Sequence, residues 1–197
     1  MMGRGRRLTA LMTGLVLLAL CLGACGGDDD STSPPPGYLA LPEAARSAAS
    51  RDSGGGSAQF LVKNGNNRIQ EFGREASDSE RKYAAAVLHA FLDARAREDW
   101  ASVCSYYSRA MRVHFRELAS YTPELKGKNC TKTLAGLERA TAQTRKEAAE
   151  VDVGSLRVAG NEGFILYHGA FETDYMLEML KEGGAWKVHT LRRIPIE

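Results

Sequence analysis

Apolar residues recur at helical spacing through the middle of the chain. Ser77 and Glu80 have the spacing of a capping box, which predicts that a helix begins at residue 77. The buried face of this helix would carry Tyr83, Val87, Leu88, Phe91 and Leu92. A second helix is predicted from Asp99. Its apolar face would carry Trp100, Val103, Cys104 and Tyr107, with the same period continuing through Met111, Phe115 and Leu118.

Pro123 and Gly127 interrupt this helical period. A further helix is predicted from about Thr131 to Glu147, with Leu134 and Leu137 facing inward. The folded region therefore begins with three or four helices.

Alternating apolar positions replace the helical pattern after Glu150. Val151 and Val153 share one parity, whereas Leu156 and Val158 share the other, and this slip predicts a β-bulge at 154–155. Further strands are predicted over 163–170, 174–182 and 186–194, with a tight Gly183-Gly184 turn before the last. The order of elements predicts an α+β domain over residues 77–197, with N-terminal helices packed on one face of a curved, antiparallel four-strand meander.

The first 25 residues have the three parts of an export signal. Basic Arg4, Arg6 and Arg7 precede an apolar run over 8–22, which is too short for a spanning helix. The Leu22-Gly23-Ala24-Cys25 segment that follows resembles the lipobox of bacterial lipoproteins.

The lipobox resemblance implies that residues 1–24 are a signal peptide and that the Cys25 thiol is acylated, palmitate being a typical chain. The protein would then be anchored by lipid to the extracytoplasmic face of the cell membrane. At least two acyl chains on Cys25 would anchor it stably without a transmembrane helix. The alternative is an ordinary secreted protein that is cut near Ala24.

The segment between Cys25 and the first predicted helix changes character near residue 58. Residues 25–57 are rich in Asp, Ser, Pro, Gly and Ala, which predicts a disordered tether, with a marginal helix over 42–50. Residues 58–76 carry more apolar side chains and are predicted to form an extended arm that docks on the domain. A disordered continuation of the tether is the alternative.

The net charge of +2 depends on the signal peptide. Without its three arginines the chain has 23 basic and 24 acidic residues. We therefore expect no nucleic-acid partner, because such proteins carry a basic excess.

Residues 77–197 resemble the nuclear transport factor 2-like superfamily, and its SnoaL-like members in particular. The resemblance rests on a long first helix, a second helix that opens with Asp99-Trp100, and a late meander that contains Gly183-Gly184-Ala185-Trp186-Lys187-Val188. It implies a cone-shaped, cystatin-like fold with a pocket between the sheet and the first helices. This fold hosts isomerases, cyclases and dehydratases as well as non-enzymatic binding modules, so the fold alone does not assign an activity.

Two cysteines other than Cys25 remain after signal cleavage. An exported protein meets oxidising conditions, so Cys104 and Cys130 are predicted to form a disulfide. Two separate buried thiols are the alternative. No CxxC motif and no histidines at ligand spacing occur, so no metal site is predicted.

The resemblance to a cone-shaped fold makes Tyr83, Tyr107 and His168 the candidate ligand-binding residues, with Tyr167, Asp174 and Tyr175 as further loose candidates. His168 shares strand parity with Phe164 and Leu166 and would point into the pocket if that face lines it. His89, in contrast, is predicted to lie on the polar side of the first helix. No catalytic residue and no cofactor is assigned, because no phosphate loop, GxSxG or HExxH motif occurs.

Two classes of function follow from these features. The first is a non-catalytic domain that binds a small apolar ligand or an envelope protein partner. The second is an isomerase- or cyclase-like enzyme that uses a pocket histidine and tyrosine. A mainly structural role is a third, less specific possibility.

Overall fold

In the computed structural model, which describes residues 34–35 and 37–197, the helices precede the main sheet along the chain. This arrangement confirms the predicted α+β class. The helices are α1 (Glu43–Ala49), α2 (Asp78–Ala96), α3 (Trp100–Tyr106), α4 (Arg109–Ser120), α5 (Cys130–Leu137) and α6 (Ala142–Glu150). The strands are β1 (Arg74–Glu75), β2 (Asp152–Ala159), β3 (Glu162–Gly169), β4 (Thr173–Glu182), β5 (Ala185–Val188) and β6 (Ile194–Pro195).

Helix α2 begins where the sequence predicts, and its start shows how the cap is made. The Ser77 hydroxyl accepts a hydrogen bond from the Glu80 backbone N–H at 3.3 Å. The Glu80 carboxylate instead accepts one from Lys181 Nζ on β4 at 2.7 Å. Glu80 therefore connects the helix to the sheet, while Phe91 is buried further along the same helix as expected.

Both long helices predicted after Asp99 are divided in two. Between α3 and α4, Tyr107 has an extended backbone, and the Ser108 hydroxyl caps α4 by accepting from Met111 N at 3.2 Å. Between α5 and α6, Thr141 and Thr144 form a reciprocal capping box. Short hydroxyl side chains can form hydrogen bonds with the backbone that compete with those of a continuing helix. The spacing of apolar residues does not reveal this competition. As a consequence Leu137, which was expected to face inward, ends α5 and is 47% exposed.

The sheet is antiparallel, with strand order β1-β2-β3-β4-β5 and β6 paired to β4. The predicted bulge is confirmed as a register shift between Val153 and Ser155. The Gly183-Gly184 turn is also confirmed, and both residues have a positive φ, as a two-residue hairpin turn of type I′ requires.

The last predicted strand, 186–194, is interrupted. Val188 pairs with Met179 and Ile194 pairs with Met176, so residues 189–193 lie opposite only two residues of β4. The excess residues leave the ladder, and β5 and β6 are two separate pieces along the same edge of β4.

The two faces of the sheet are covered by different parts of the chain. Ile165, Tyr167, Leu177 and Met179 face the helices and are buried in the main core with α2. Phe164, Leu166 and His168 lie on the opposite face. There Phe72 packs edge-on against Phe164 at 4.9 Å, and Phe60 stacks on His168 at 4.7 Å, both measured between ring centroids. Residues 57–75 therefore cover the second face of the sheet.

Part of the predicted tether is folded. Helix α1 packs on α2 and buries Ala45 and Ala49, and Tyr38 contacts the Tyr83 ring edge-on. The expectation of disorder does not hold for residues 38–57, because small alanine side chains permit close helix contact although they add little to the hydrophobicity of the segment. The predicted signal peptide, Cys25 and the start of the predicted tether lie outside the described residues. Within the part of the chain that the structure describes, no helix is long and apolar enough to cross a membrane.

Candidate functional site

The structure places two of the three predicted ligand-binding residues in the core. Tyr107 contacts the rings of Phe91 and Phe115 at 5.1 and 5.0 Å between centroids. Tyr83 is also buried, and burial raises the pKa of both hydroxyls. The space around these tyrosines is filled by protein side chains.

His168 lies on the other face of the sheet from Tyr83 and Tyr107. Its Nδ1 is 2.6 Å from Asp174 Oδ1 on the next strand, and its Nε2 is 3.0 Å from Gln59 Oε1 in the arm. The Gln59 amide is oriented by its own donations to the carbonyls of Gly54 and Gly56 at 2.6 and 2.9 Å. His168 therefore links the arm to the sheet, and the structure does not bring it together with Tyr83 or Tyr107.

His89 was predicted on the polar side of the first helix, and this prediction is wrong. Its side chain is buried, with Nε2 3.1 Å from both carboxylate oxygens of Asp52. The contact joins α2 to the segment after α1. The sequence pattern missed it because the covering segment had been predicted as disordered.

The predicted disulfide is confirmed. Cys104 on α3 is bonded to Cys130 at the start of α5, with the two Cα atoms 6.1 Å apart. The bond connects helices that are separated along the chain by α4.

An open cleft lies beside the core where the α5–α6 junction meets the segment between β5 and β6. Its volume is about 560 Å³. The charged residues lining it are four arginines and two glutamates: Arg95, Arg139, Arg192, Arg193, Glu138 and Glu147. The remaining lining residues include Thr141, Gln143, Thr144 and Tyr175, with apolar Leu137, Leu191 and Pro195. We call this space the arginine cleft.

Two ion pairs organise the arginine cleft. Arg193 holds Glu147 with both terminal nitrogens, one of them 2.5 Å from Oε2. Arg95 donates to Glu138 at 2.8 Å. The Arg193 guanidinium also lies over the Tyr175 ring, 4.4 Å from its centroid. Burial lowers the pKa of Arg193, but its hydrogen bonds to Glu147 and its contact with Tyr175 outweigh this effect and raise the pKa overall.

Tyr167 adjoins the cleft from the core side. Its ring stacks on Tyr175, which lines the cleft. The residue Tyr167 itself is only 2% exposed. Among the described residues, neither the Tyr167 hydroxyl nor Arg193 Nε has a hydrogen-bond partner. Burial raises the pKa of Tyr167. The positive charge of Arg193 lowers this pKa by a smaller amount, and the negative charge of Glu147 raises it. Buried polar groups are nearly always paired, so these two atoms mark a place where a partner is missing.

Sequence reasoning named Tyr167 and Tyr175 among its pocket candidates but none of the charged residues of this site. Its residues come from the end of α2, the α5–α6 junction, β4 and the C-terminal segment, which are far apart in sequence. The sequence contains one signal for the two tyrosines. Their positions in the alternating pattern of β3 and β4 place both side chains on the face of the sheet that packs against the helices.

Compared with known protein families, curated proteins and solved structures, the chain matches none. The fold and the site define it as an α+β protein with an arginine-lined cleft beside the core. Within residues 37–197, no three His, Cys, Asp or Glu side chains are grouped so that they could hold a metal ion.

Proposed function

We propose that this protein is a lipid-anchored, extracytoplasmic lipoprotein whose domain binds a small ligand in the arginine cleft without transforming it. The Leu22-Gly23-Ala24-Cys25 segment supports the anchor. The order of helices and strands supports a cone-shaped, nuclear transport factor 2-like domain, with the cleft at one end of the space between helices and sheet.

The observation that carries the binding proposal is an open, arginine-lined cleft whose wall residue Tyr175 stacks on Tyr167, a buried tyrosine whose hydroxyl has no hydrogen-bond partner among the described residues. Leaving a buried hydroxyl unpaired costs about 1–3 kcal/mol, and a ligand that reached it would recover part of that free energy. The lining is mostly polar, which changes the expected ligand from an apolar molecule to one with a polar end.

Catalysis by His168 and a tyrosine is the second class of function that the sequence analysis considered. Both ring nitrogens of His168 are engaged, by Asp174 and Gln59, and Phe60 covers the ring. These contacts favour a role in holding the arm, and they support the non-catalytic proposal.

Mass spectrometry of the protein purified from its native membranes tests ligand binding. Gln143→Trp would place an indole in the cleft, and Arg116→Trp adds the same side chain at an exposed site on α4. We expect a small molecule to co-purify with the wild type and with Arg116→Trp but not with Gln143→Trp. Wild-type protein without any bound molecule, or equal retention by Gln143→Trp, would contradict the proposal.

The anchor is tested separately by Cys25→Ala. The variant should be released from membranes or remain as the uncleaved precursor, because the acylated thiol is gone. Normal cleavage together with unchanged membrane retention would refute the lipoprotein assignment.

A further inference from the structure

The positive charges of the arginine cleft exceed its negative ones. Arg95 and Arg193 are each neutralised by a glutamate. Arg139 and Arg192 also line the cleft, and within the described part of the chain neither forms a salt bridge with an acid. Arg139 donates instead to backbone carbonyls, including that of Glu138 at 2.8 Å. The cleft therefore holds two positive charges that no side chain there balances.

The unpartnered buried atoms specify the polarity of the missing group. Arg193 Nε carries a hydrogen and can only donate, and the Tyr167 hydroxyl is able to donate as well. An acceptor in the cleft would suit Arg193, which lines it, and an acceptor would also suit the Tyr167 hydroxyl behind Tyr175. An anionic oxygen is the strongest acceptor available to a guanidinium, because charge-assisted hydrogen bonds are about twice as strong as neutral ones.

The start of α6 adds to this preference. Thr141, its N-cap, and Gln143 and Thr144 in its first turn line the cleft. The helix has nine residues, and its N-terminus carries a partial positive charge that favours an anion nearby. The helix start thus acts in the same direction as Arg139 and Arg192.

Apolar side chains stand beside these polar groups. Leu137 and Leu191 line the cleft and are both exposed. We propose that the arginine cleft binds the carboxylate or phosphate group of a small organic anion, whose apolar part lies against Leu137 and Leu191. This inference rests on the proposed binding function and names the class of its ligand.

Calorimetric titration of the full chain, solubilised from membranes and referenced to detergent alone, tests the ligand class. The probes are benzoate, phenyl phosphate, inorganic phosphate and neutral benzamide. We expect benzoate or phenyl phosphate to bind at least tenfold more tightly than benzamide, and more tightly than inorganic phosphate because that ion lacks an apolar part. Which of the two organic anions binds better distinguishes a carboxylate from a phosphate ligand.

The Arg139→Gln/Arg192→Gln double variant tests the site. Both residues are exposed, so the melting temperature should remain that of the wild type. We expect at least tenfold weaker binding of the organic anion, whereas Arg116→Gln, which removes an exposed arginine outside the cleft, should leave it unchanged. Equal affinity for benzamide and benzoate, or unchanged anion binding in the double variant, would overturn the inference.

These outcomes are separable from failure of the proposed function. If benzamide binds as well as benzoate and Gln143→Trp abolishes both, the cleft is a binding site but not one for anions. If no probe binds and no molecule co-purifies with the wild type, both proposals fail.

Discussion

The rings of Tyr167 and Tyr175 are stacked, with centroids 5.6 Å apart and planes inclined by 29°. The two residues are direct partners in the β3–β4 ladder, so the sheet register fixes their contact. Tyr175 lines the arginine cleft, while Tyr167 is buried behind it. The stack therefore places a tyrosine whose buried hydroxyl has no partner among the described residues directly behind a residue of the cleft wall.

Removing that hydroxyl should stabilise the free protein. Tyr167→Phe keeps the stacked ring and deletes a buried polar atom that has no partner among the described residues. We expect the free energy of unfolding to rise by about 1 kcal/mol in urea denaturation. Tyr121→Phe, at a residue 83% exposed, is the control and should change it by less than about 0.5 kcal/mol. A loss of stability in Tyr167→Phe would mean that the hydroxyl already has a partner.

The buried tyrosines should limit stability at high pH. Burial raises the pKa of Tyr107 and of Tyr167 above the ordinary value of 10.0. Since the folded pKa exceeds the unfolded one, the stabilisation is complete below pH 10 and is lost as the pH rises above it. In an alkaline titration followed by tyrosinate absorbance, Tyr107 and Tyr167 should ionise only as the far-UV circular dichroism is lost. Ionisation of every tyrosine in the folded protein would be inconsistent with this burial.

The disulfide should contribute substantially to stability. Cys104 and Cys130 are 26 residues apart. A cross-link that closes a loop of this length lowers the conformational entropy of the unfolded chain, which stabilises the fold by roughly 3–4 kcal/mol. Cys104→Ala/Cys130→Ala should therefore unfold at markedly lower urea concentration. Dithiothreitol should produce a similar shift in the wild type and none in the double variant. Equal denaturation curves for oxidised and reduced wild type would argue against the bond.

Docking of the arm depends on Phe60. Its side chain is 1% exposed and stacks on His168, so Phe60→Ala should lower the free energy of unfolding by about 3–5 kcal/mol. Trypsin should then cleave faster at Lys63 and Arg68 in the same segment. Leu61→Ala, at a neighbouring residue 51% exposed, is the matched control and should have little effect on either measurement. Unchanged proteolysis in Phe60→Ala would show that the arm does not rely on this contact.

The sequence pattern correctly predicted those features of the fold that are determined by residues close together in the chain. The start of α2 follows from the Ser77 cap, the bulge near Ser155 from a change of parity, and the last hairpin from two glycines. In each case the residues that form the feature are neighbours in sequence. The burial of Phe91 followed from the helical periodicity of α2.

Features that depend on distant partners were missed. The ring of His89 is buried because Asp52 binds it from a segment whose composition predicted disorder. Arg193 lies at a break in the last strand, where it reaches Glu147 on α6 instead of continuing the ladder. The arginine cleft depends on contacts of this kind, whereas the resemblance to a cone-shaped fold led us to expect the pocket at Tyr83 and Tyr107, where the core is filled.

The most direct test of anion binding is to observe the arginine side chains themselves. Nitrogen-15 spectra of the Arg Nε–H groups should be recorded while benzoate is added to the protein. Among the described residues Arg193 Nε–H has no partner, so its signal should shift strongly, together with those of Arg139 and Arg192, while Arg116 stays unchanged. Benzamide should produce none of these shifts. Cleft arginine signals that do not move with benzoate, or that move equally with benzamide, would contradict an anion-binding cleft.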